Sequence, residues 1–447
     1  MNWLIERFST ALGDLAFVHE GRRVTYGEVV KNVGFFKSLL DTHKIRSGEN
    51  VAIIGDFSPE VFCLILALCL NRNIIIPLTR ESVIEVSHAL EISGCHWLAE
   101  FDVCDIEVAI KPFEIPATNP LLLDFIHAGD PGMILFSSGS TGKPKAILHN
   151  IRRVADKFRK LRNPVVAIPF LMLDHFGGIN TILAITSSLG TVVTVKNRST
   201  ANICSSIEEY KVDLLPTTPS FLTMLMASNL YKNYDVSSLK RITYGTEVMP
   251  QATLDRLRNV FPNIELQQTY GLSEVGVLRS KSRDDGSLWV KIGGEGFQTK
   301  VVDDILWIKS DYSMVGYLNA PSEFDSDGWF NTQDRVEIDG DYFRILGRIT
   351  DIINVGGQKV YPTEIEDIIL SLDNVKDAIV YGEPHNLLGQ IVVAEIATIE
   401  PEDLDSLKRR IRIACKSQLT SFKVPSKVII SETDLHTSRY KKNRRCR

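Results

Sequence analysis

The sequence predicts an α/β fold: a large N-terminal domain, residues 1–347, built on parallel sheet, then a small α+β C-terminal domain, residues 348–447. Three observations carry this. Short apolar runs alternate with helix-length segments from residue 25 to residue 244, the pattern of strands joined by crossover helices. Near residue 285 the pattern shifts to short strands and turns. After Gly347-Arg348 a second, shorter series of helix and strand patterns begins.

The elements follow in order. Thr25 and Glu28 form a capping box ahead of Val29, Val30, Val33, Phe36 and Leu40, which are apolar at helical spacing. Val51-Ala52-Ile53-Ile54 reads as a buried strand, Ser58-Pro59-Glu60 as a helix start and Ile74-Ile75-Ile76 as the next strand. The apolar run Val61–Leu70 falls far short of the roughly 20 residues a membrane-spanning helix needs, so it is a core helix and no transmembrane segment is expected. Met133-Ile134-Leu135-Phe136 reads as the end of a buried strand. Alternation continues through Val165–Ile168, a helix after Gly178, Thr191–Val195, a helix after Pro219 and Arg241–Tyr244. Ile305–Lys309 and the acidic turn Asp325-Ser326-Asp327-Gly328 belong to the strand-and-turn stretch. In the last unit Thr363 and Glu366 offer a second capping box, followed by helix 364–372, strands 377–381 and 391–399, helix 402–416 and strand 427–431.

Composition narrows the function classes. The chain is 44% hydrophobic and 23% charged, ordinary for a soluble globular protein. A net charge of −5 gives no global basic field, so nucleic acid is not an expected partner. Positive charge concentrates only in the tail Arg439–Arg447. The seven cysteines are scattered and free of CxxC spacing, which argues against a disulfide framework and a zinc site and fits a reducing cytoplasm. No basic-then-apolar signal segment opens the chain.

Three segments carry chemistry. Ser137-Ser138-Gly139-Ser140-Thr141-Gly142-Lys143-Pro144-Lys145 follows a strand end with hydroxyls, two glycines and two lysines, a loop able to wrap phosphate oxygens. It is not a Walker A loop, which wants Gly in place of Ser137 and Ser or Thr in place of Pro144; Pro144 also turns Lys143 away from helical angles. Tyr270-Gly271-Leu272-Ser273-Glu274 offers a flat ring for a base, a close backbone approach and a carboxylate for Mg²⁺ beside a phosphate. Gly328–Asp334 with Gly347-Arg348 pairs a carboxylate that can accept ribose hydroxyls with a donor to the same sugar.

Together, in this order, these segments resemble the adenylate-forming (AMP-binding) superfamily of acyl-CoA synthetases, nonribosomal-peptide adenylation domains and luciferases. The resemblance runs nearly end to end and includes Thr25–Glu28, Ser58–Leu78, Pro216-Thr217, Tyr244–Glu247, Gly316-Tyr317 and Lys359–Glu366. It implies stacked α/β sheets and a distorted β-barrel subdomain in the large domain, and a small mobile C-terminal lid hinged at Gly347 to Thr350. It also implies roles. Ser137, Ser138, Gly139, Ser140, Thr141, Gly142, Lys143 and Lys145 would cover the ATP phosphates. Gly245, Thr246, Glu247, Tyr270 and Gly271 would flank the adenine, with Ser273 near the phosphates, and Glu274 would bind Mg²⁺. Asp334 and Arg348 would hold the ribose. The implied reaction is attack of a carboxylate on the α-phosphate of ATP, release of pyrophosphate, and transfer of the acyl group from the adenylate to a thiol.

The chain departs from the family pattern in several places. Thr332-Gln333-Asp334 stands where Thr-Gly-Asp is frequent, and Asp303-Asp304-Ile305 where Gly-Glu-Leu is usual. The hinge position holds Thr350, followed by Asp351. In the tail, Thr437, Lys441 and Arg444 fit Thr-x-x-Gly-Lys-x-x-Arg, but Tyr440 replaces the glycine, so Lys441 and Lys442 both stand as candidates for the lysine of the adenylation step, with Lys441 favoured.

His175-Phe176-Gly177-Gly178 is similar to the family's His-x-x-Gly beside the acyl pocket, which implies substrate contacts for His175, Phe176, Gly178 and Gly245. Amino-acid-activating members carry aspartate at the position of Phe176, and an apolar ring cannot compensate a buried ammonium. The expected substrate is therefore a fatty or aryl acid without an α-amine. Gly356-Gly357 resembles the loop that leads a pantetheine thiol to the adenylate, so either CoA or an acyl carrier protein can be the acceptor. Two alternatives stand beside this: a nucleotide-binding regulatory protein without turnover, and an adenylate former with a non-thiol acceptor.

Overall fold

The computed structural model describes residues 1–137, 144–284, 286–431, 433, 435–437 and 442. Two seven-stranded sheets form most of the N-terminal part. In the first, neighbouring strands run 265–268, 241–244, 214–217, 166–167, 191–193, 15–19 and 22–25, all parallel except the last hairpin. In the second the order is 316–317, 145–150, 132–137, 74–78, 50–54, 97–101 and 108–112, parallel at the centre and antiparallel at both edges. Asn50–Ile54 and Ile74–Leu78 are buried at every residue, as central parallel strands must be.

The apolar run forms the core helix Pro59–Leu70. Ser58 Oγ accepts from the Val61 N–H at 3.0 Å, Pro59 opens the first turn, and every residue from Pro59 to Cys69 is buried. Its cluster joins Phe17 of the first sheet to Ile53 of the second. Each large apolar side chain buried there contributes roughly 1.5–3 kcal/mol.

The strand-and-turn stretch is a six-stranded antiparallel sheet in the order 279–282, 289–293, 342–348, 330–339, 305–310 and 297–302, the barrel subdomain of the expected architecture. A separate five-stranded sheet follows, 358–360, 353–355, 389–398 and 375–385, with 427–430 pairing in parallel to 389–398. Helices Pro362–Leu370 and Leu404–Gln418 close its own core around Ile365, Val380, Ile396 and Ile411. This unit meets the helix Gln251–Val260, where Ala252 N–H donates to Asp367 Oδ1 at 2.8 Å and Arg256 Nη2 to the Leu370 carbonyl at 2.7 Å.

The first capping box is present: Thr25 N–H donates to Glu28 Oε2 at 2.7 Å and Glu28 N–H to Thr25 Oγ1 at 3.3 Å. The second is not. The helix starts at Pro362 behind Tyr361, Thr363 Oγ1 donates to the Leu346 carbonyl, and Glu366 Oε1 accepts from the Val380 N–H instead. The helix expected after Gly178 begins at Phe176 with His175 as its cap, because the His175 ring supplies the acceptor. No helix among the described residues is long and apolar enough to cross a membrane.

Candidate active site

The sequence motifs converge on one cavity of about 1380 Å³. Ser137 and Lys145 reach it from the two ends of the phosphate loop, on the antiparallel strands 132–137 and 145–150. Ser138, Gly139, Ser140, Thr141, Gly142 and Lys143 lie outside the described residues. Lys145 Nζ contacts Glu323 Oε1 and sits 4.7 Å from the Tyr317 ring centroid. The Tyr317 hydroxyl donates to Glu274 Oε1 at 2.9 Å and lies 3.4 Å from Glu323 Oε2. Burial and these two carboxylates hold the Tyr317 phenol well above its ordinary range, so it remains a donor. Glu274 thus sits beside the loop that ends in Lys145, with a second carboxylate close by. Two hard oxygen donors and no larger acidic cluster among the described residues suit a Mg²⁺ ion that keeps waters and phosphate oxygens as its other ligands.

On the barrel sheet, Asp334 and Arg348 are directly opposed in antiparallel register. Arg348 Nε is 3.4 Å from Asp334 Oδ1, and the Tyr270 hydroxyl donates to Asp334 Oδ2 at 2.5 Å. Burial pushes the Asp334 carboxyl up, against the opposing pull of Arg348 and Tyr270. Tyr270, itself buried, is pushed up by burial and then by Asp334. Gln333, where the family favours glycine, holds φ at 59°. A left-handed backbone is therefore retained here, inside the strand 330–339, in a residue with a Cβ, at about 1–2 kcal/mol.

The strand Arg241–Tyr244 ends at Gly245, whose missing side chain matters: a Cβ would stand 2.4 Å from Thr269 Oγ1. Thr246 follows with φ of 72°. Glu247 Oε2 accepts from Ser220 Oγ at 2.5 Å and its Oε1 from the Lys442 N–H at 2.8 Å. Gly271, Ser273 and Glu274 line the same cavity through the short ribbon 271–272 and 276–277.

His175, Phe176 and Gly177 line the acid side. His175 Nδ1 accepts from the Gly177 N–H at 3.0 Å, which places the proton of the neutral ring on Nε2. Phe176 is buried, with its centroid 4.8 Å from that of His149, a ring that burial pushes down to about 3 and keeps neutral. Gly178 is not on the cavity wall. It is packed against the Met172 carbonyl, 2.3 Å from where a Cβ would stand. Asp174 does reach the cavity, yet its Oδ2 accepts from Ser82 Oγ at 2.8 Å and Thr79 Oγ1 at 3.2 Å.

From the C-terminal part, Thr437 and Lys442 reach the cavity. Lys441 lies outside the described residues. Lys442 Nζ donates to Glu366 Oε2 at 3.0 Å and the Ala378 carbonyl at 2.8 Å, with Asp377 Oδ1 at 3.9 Å. Its side chain is 8% exposed, so this lysine is committed to the core of the small domain. Gly356 and Gly357 form the exposed turn between strands 353–355 and 358–360, away from the cavity wall. Sequence reasoning missed Glu323, which no motif announced. It also missed the burial of Lys442.

Comparison with known proteins follows the same outline. The family model described as AMP-binding enzyme matches residues 6–318, and the AMP-binding enzyme C-terminal domain matches residues 364–442. The chain is 28% identical to the 4-coumarate–CoA ligase-like 9 protein of Arabidopsis thaliana, over 86% of this chain and 78% of that one. It is 25% identical to the 2-succinylbenzoate–CoA ligase of Listeria monocytogenes serotype 4b (strain F2365), over 96% and 95%. Among solved structures, the anthranilate CoA ligase AuaEII in complex with anthranoyl-AMP has the same fold, with a TM-score of 0.85 at 18% identity over 99% of this chain and 95% of that one. The chain belongs to the AMP-binding enzyme family and is by type an AMP-forming acid–thiol ligase.

Proposed function

We propose that this enzyme couples ATP to a fatty or aryl acid without an α-amine, releases pyrophosphate, and passes the acyl group from the adenylate to the pantetheine thiol of CoA or of an acyl carrier protein. The observation that carries the reading is the meeting of Lys145, Glu274, the Asp334–Arg348 pair and His175-Phe176 on one cavity wall. In this reading residues 1–347 hold the nucleotide and the acid, and residues 348–447 are the lid. Relatives named 2-succinylbenzoate–CoA ligase and feruloyl-CoA synthase favour CoA as acceptor and an aryl acid as substrate. A cytoplasmic location belongs to the same reading.

The chain's own residues divide the work. Lys145 and the rest of the 137–145 loop neutralise phosphate charge as the carboxylate approaches. Glu274, with Glu323 beside it, would hold Mg²⁺, which offsets charge on the phosphates when bound. Asp334 accepts the ribose hydroxyls, and Arg348 orients both. Gly245 gives the nucleotide close access to backbone. Phe176 shapes the acid pocket and excludes water from the mixed anhydride. The described arrangement presents the tail at Thr437 and Lys442 to the cavity and keeps the Gly356-Gly357 turn away. Thiol transfer then requires the lid to turn.

Two expected results arise here. Asp334→Asn raises KM for ATP by roughly tenfold to a hundredfold, the range for a hydrogen bond to a charged group, with a smaller change in KM for the acid. Steady-state kinetics with each substrate varied checks this, and an unchanged KM for ATP removes Asp334 from the nucleotide site. For unbranched acids, kcat/KM rises about fourfold per methylene, about 0.8 kcal/mol each, until the pocket beside Phe176 is full. If proteinogenic amino acids are activated better than every fatty or aryl acid, the pocket has been misread. The function itself is tested by mass spectrometry of products from ATP and an acid panel with CoA, with holo carrier protein and with no thiol. Acyl-AMP without thiol and a thioester with one acceptor support it; AMP-free mixtures in all three contradict it.

A further inference from the structure

The cavity continues past Phe176 along the helix Phe176–Ser187, and one turn on it meets Asn180. Residues four apart on a helix share a face, about 6 Å apart along the axis. Lys157 Nζ donates to Asn180 Oδ1 at 3.0 Å and also to the Val277 carbonyl. An ammonium only donates, so the amide oxygen of Asn180 faces Lys157, and its two N–H donors have no acceptor among the described residues. Arg162 lines the same cavity. Neither Lys157 nor Arg162 has an ion-pair partner among the described residues; Lys157 feels Arg162 and Arg279, and Arg162 feels Arg279. Burial, with these two neighbouring cations, pushes Lys157 down to about 7.

A buried cation is ordinarily paired. Here Asn180 and Arg162 line the cavity, Arg162 on its exposed side, Lys157 stands behind Asn180 over the rings of Phe158 and Phe297, and no carboxylate of the described residues pairs with Lys157 or Arg162. We propose that this cluster recognises a second, distal carboxylate on the acid, so that the preferred substrate is a dicarboxylic acid with a short or aryl spacer. The reacting carboxylate lies toward Lys145 and Glu274, the spacer passes Phe176, and the far carboxylate reaches the Asn180 amide and Arg162, with Lys157 holding the Asn180 amide in position. This deepens the proposed function and rests on it. Tethering alone explains the bonds from Lys157 to the Val277 carbonyl and to Asn180 Oδ1, but it leaves the Asn180 donors without a role.

The test compares matched pairs of acids that differ only in a carboxylate or a methyl group at the distal end. Acid-dependent adenylate formation is measured for wild type, Arg162→Gln, Lys157→Met and Lys157→Arg. Wild type is expected to favour the diacid in kcat/KM. Arg162→Gln and Lys157→Met are each expected to reduce the diacid-to-monoacid ratio by roughly tenfold or more. Lys157→Arg is expected to restore part of it. Arg162 is exposed, so its variant stays interpretable if Lys157→Met folds poorly. A wild-type preference for the monoacid, or a ratio unmoved by Arg162→Gln, overturns the inference alone. Failure to adenylate any acid overturns the proposed function and this inference with it.

Discussion

Replacing Glu274 with glutamine is expected to lower acid-dependent adenylation by about 10²–10³-fold, roughly 2.7–4 kcal/mol, with the melting temperature nearly unchanged. Glutamine keeps the size of the side chain and an oxygen that can accept from the Tyr317 hydroxyl, so the 2.9 Å bond has a replacement. What disappears is one negative charge where a hard cation and phosphate oxygens meet. The neighbouring Glu323 is already engaged by Lys145, so it compensates poorly. The loss is therefore expected in kcat, and to be deepest at limiting Mg²⁺. Pyrophosphate exchange titrated with Mg²⁺ measures both. Wild-type exchange across the titration would remove Glu274 from the reacting centre.

The two lysines of the tail are expected to fail differently. Lys441→Ala is expected to lose adenylation by a similar factor, about 10²–10³, while thioester formation from synthetic acyl-adenylate survives. Lys442 is buried between Glu366, Asp377 and the Ala378 carbonyl. Removing one partner of a buried pair leaves the other uncompensated, at about 3–5 kcal/mol. Burial already pushes the Asp377 carboxyl up, against Lys442 and His436, so the loss of Lys442 also removes a charge that holds Asp377 ionised. Lys442→Ala is thus expected to destabilise the small domain and to reduce both half-reactions together. The double change Glu366→Gln with Lys442→Met should cost less than the sum of the single ones. Melting curves and the two half-reactions, measured separately for each variant, distinguish the roles. Selective loss of adenylation in Lys442→Ala, with stability intact, would move the assignment by one residue.

Much of this architecture was legible in the sequence because local chemistry and global placement agree. The apolar run after Ser58-Pro59 could only be a core helix, and it is. Thr25 and Glu28 cap a helix because, among the described residues, their side chains hydrogen-bond only within the cap. Thr363 and Glu366 have the same spacing and do not, because Glu366 is drawn inward by the Val380 N–H and Lys442. Tertiary demand outweighs the cap there. The site was legible as separate motifs, and the register Asp334 to Arg348 shows why two distant motifs cooperate. Glu323, Asn180 and Lys157 were not legible. Each acts through partners 23 to 178 positions away in sequence, and no local pattern marks them. Gln333 shows the converse: a left-handed backbone position that suits glycine persists without it inside the strand 330–339, held by the sheet on both sides.

The central claim is that this cavity joins an acid to AMP, and acid-dependent exchange of labelled pyrophosphate into ATP measures that step without any acceptor. Wild-type protein with Mg²⁺ and an acid panel lacking α-amines is expected to exchange label with at least one acid and to show background exchange without acid. Saturable ATP binding with no exchange for any acid would contradict the claim and return the chain to the nucleotide-binding, non-catalytic alternative.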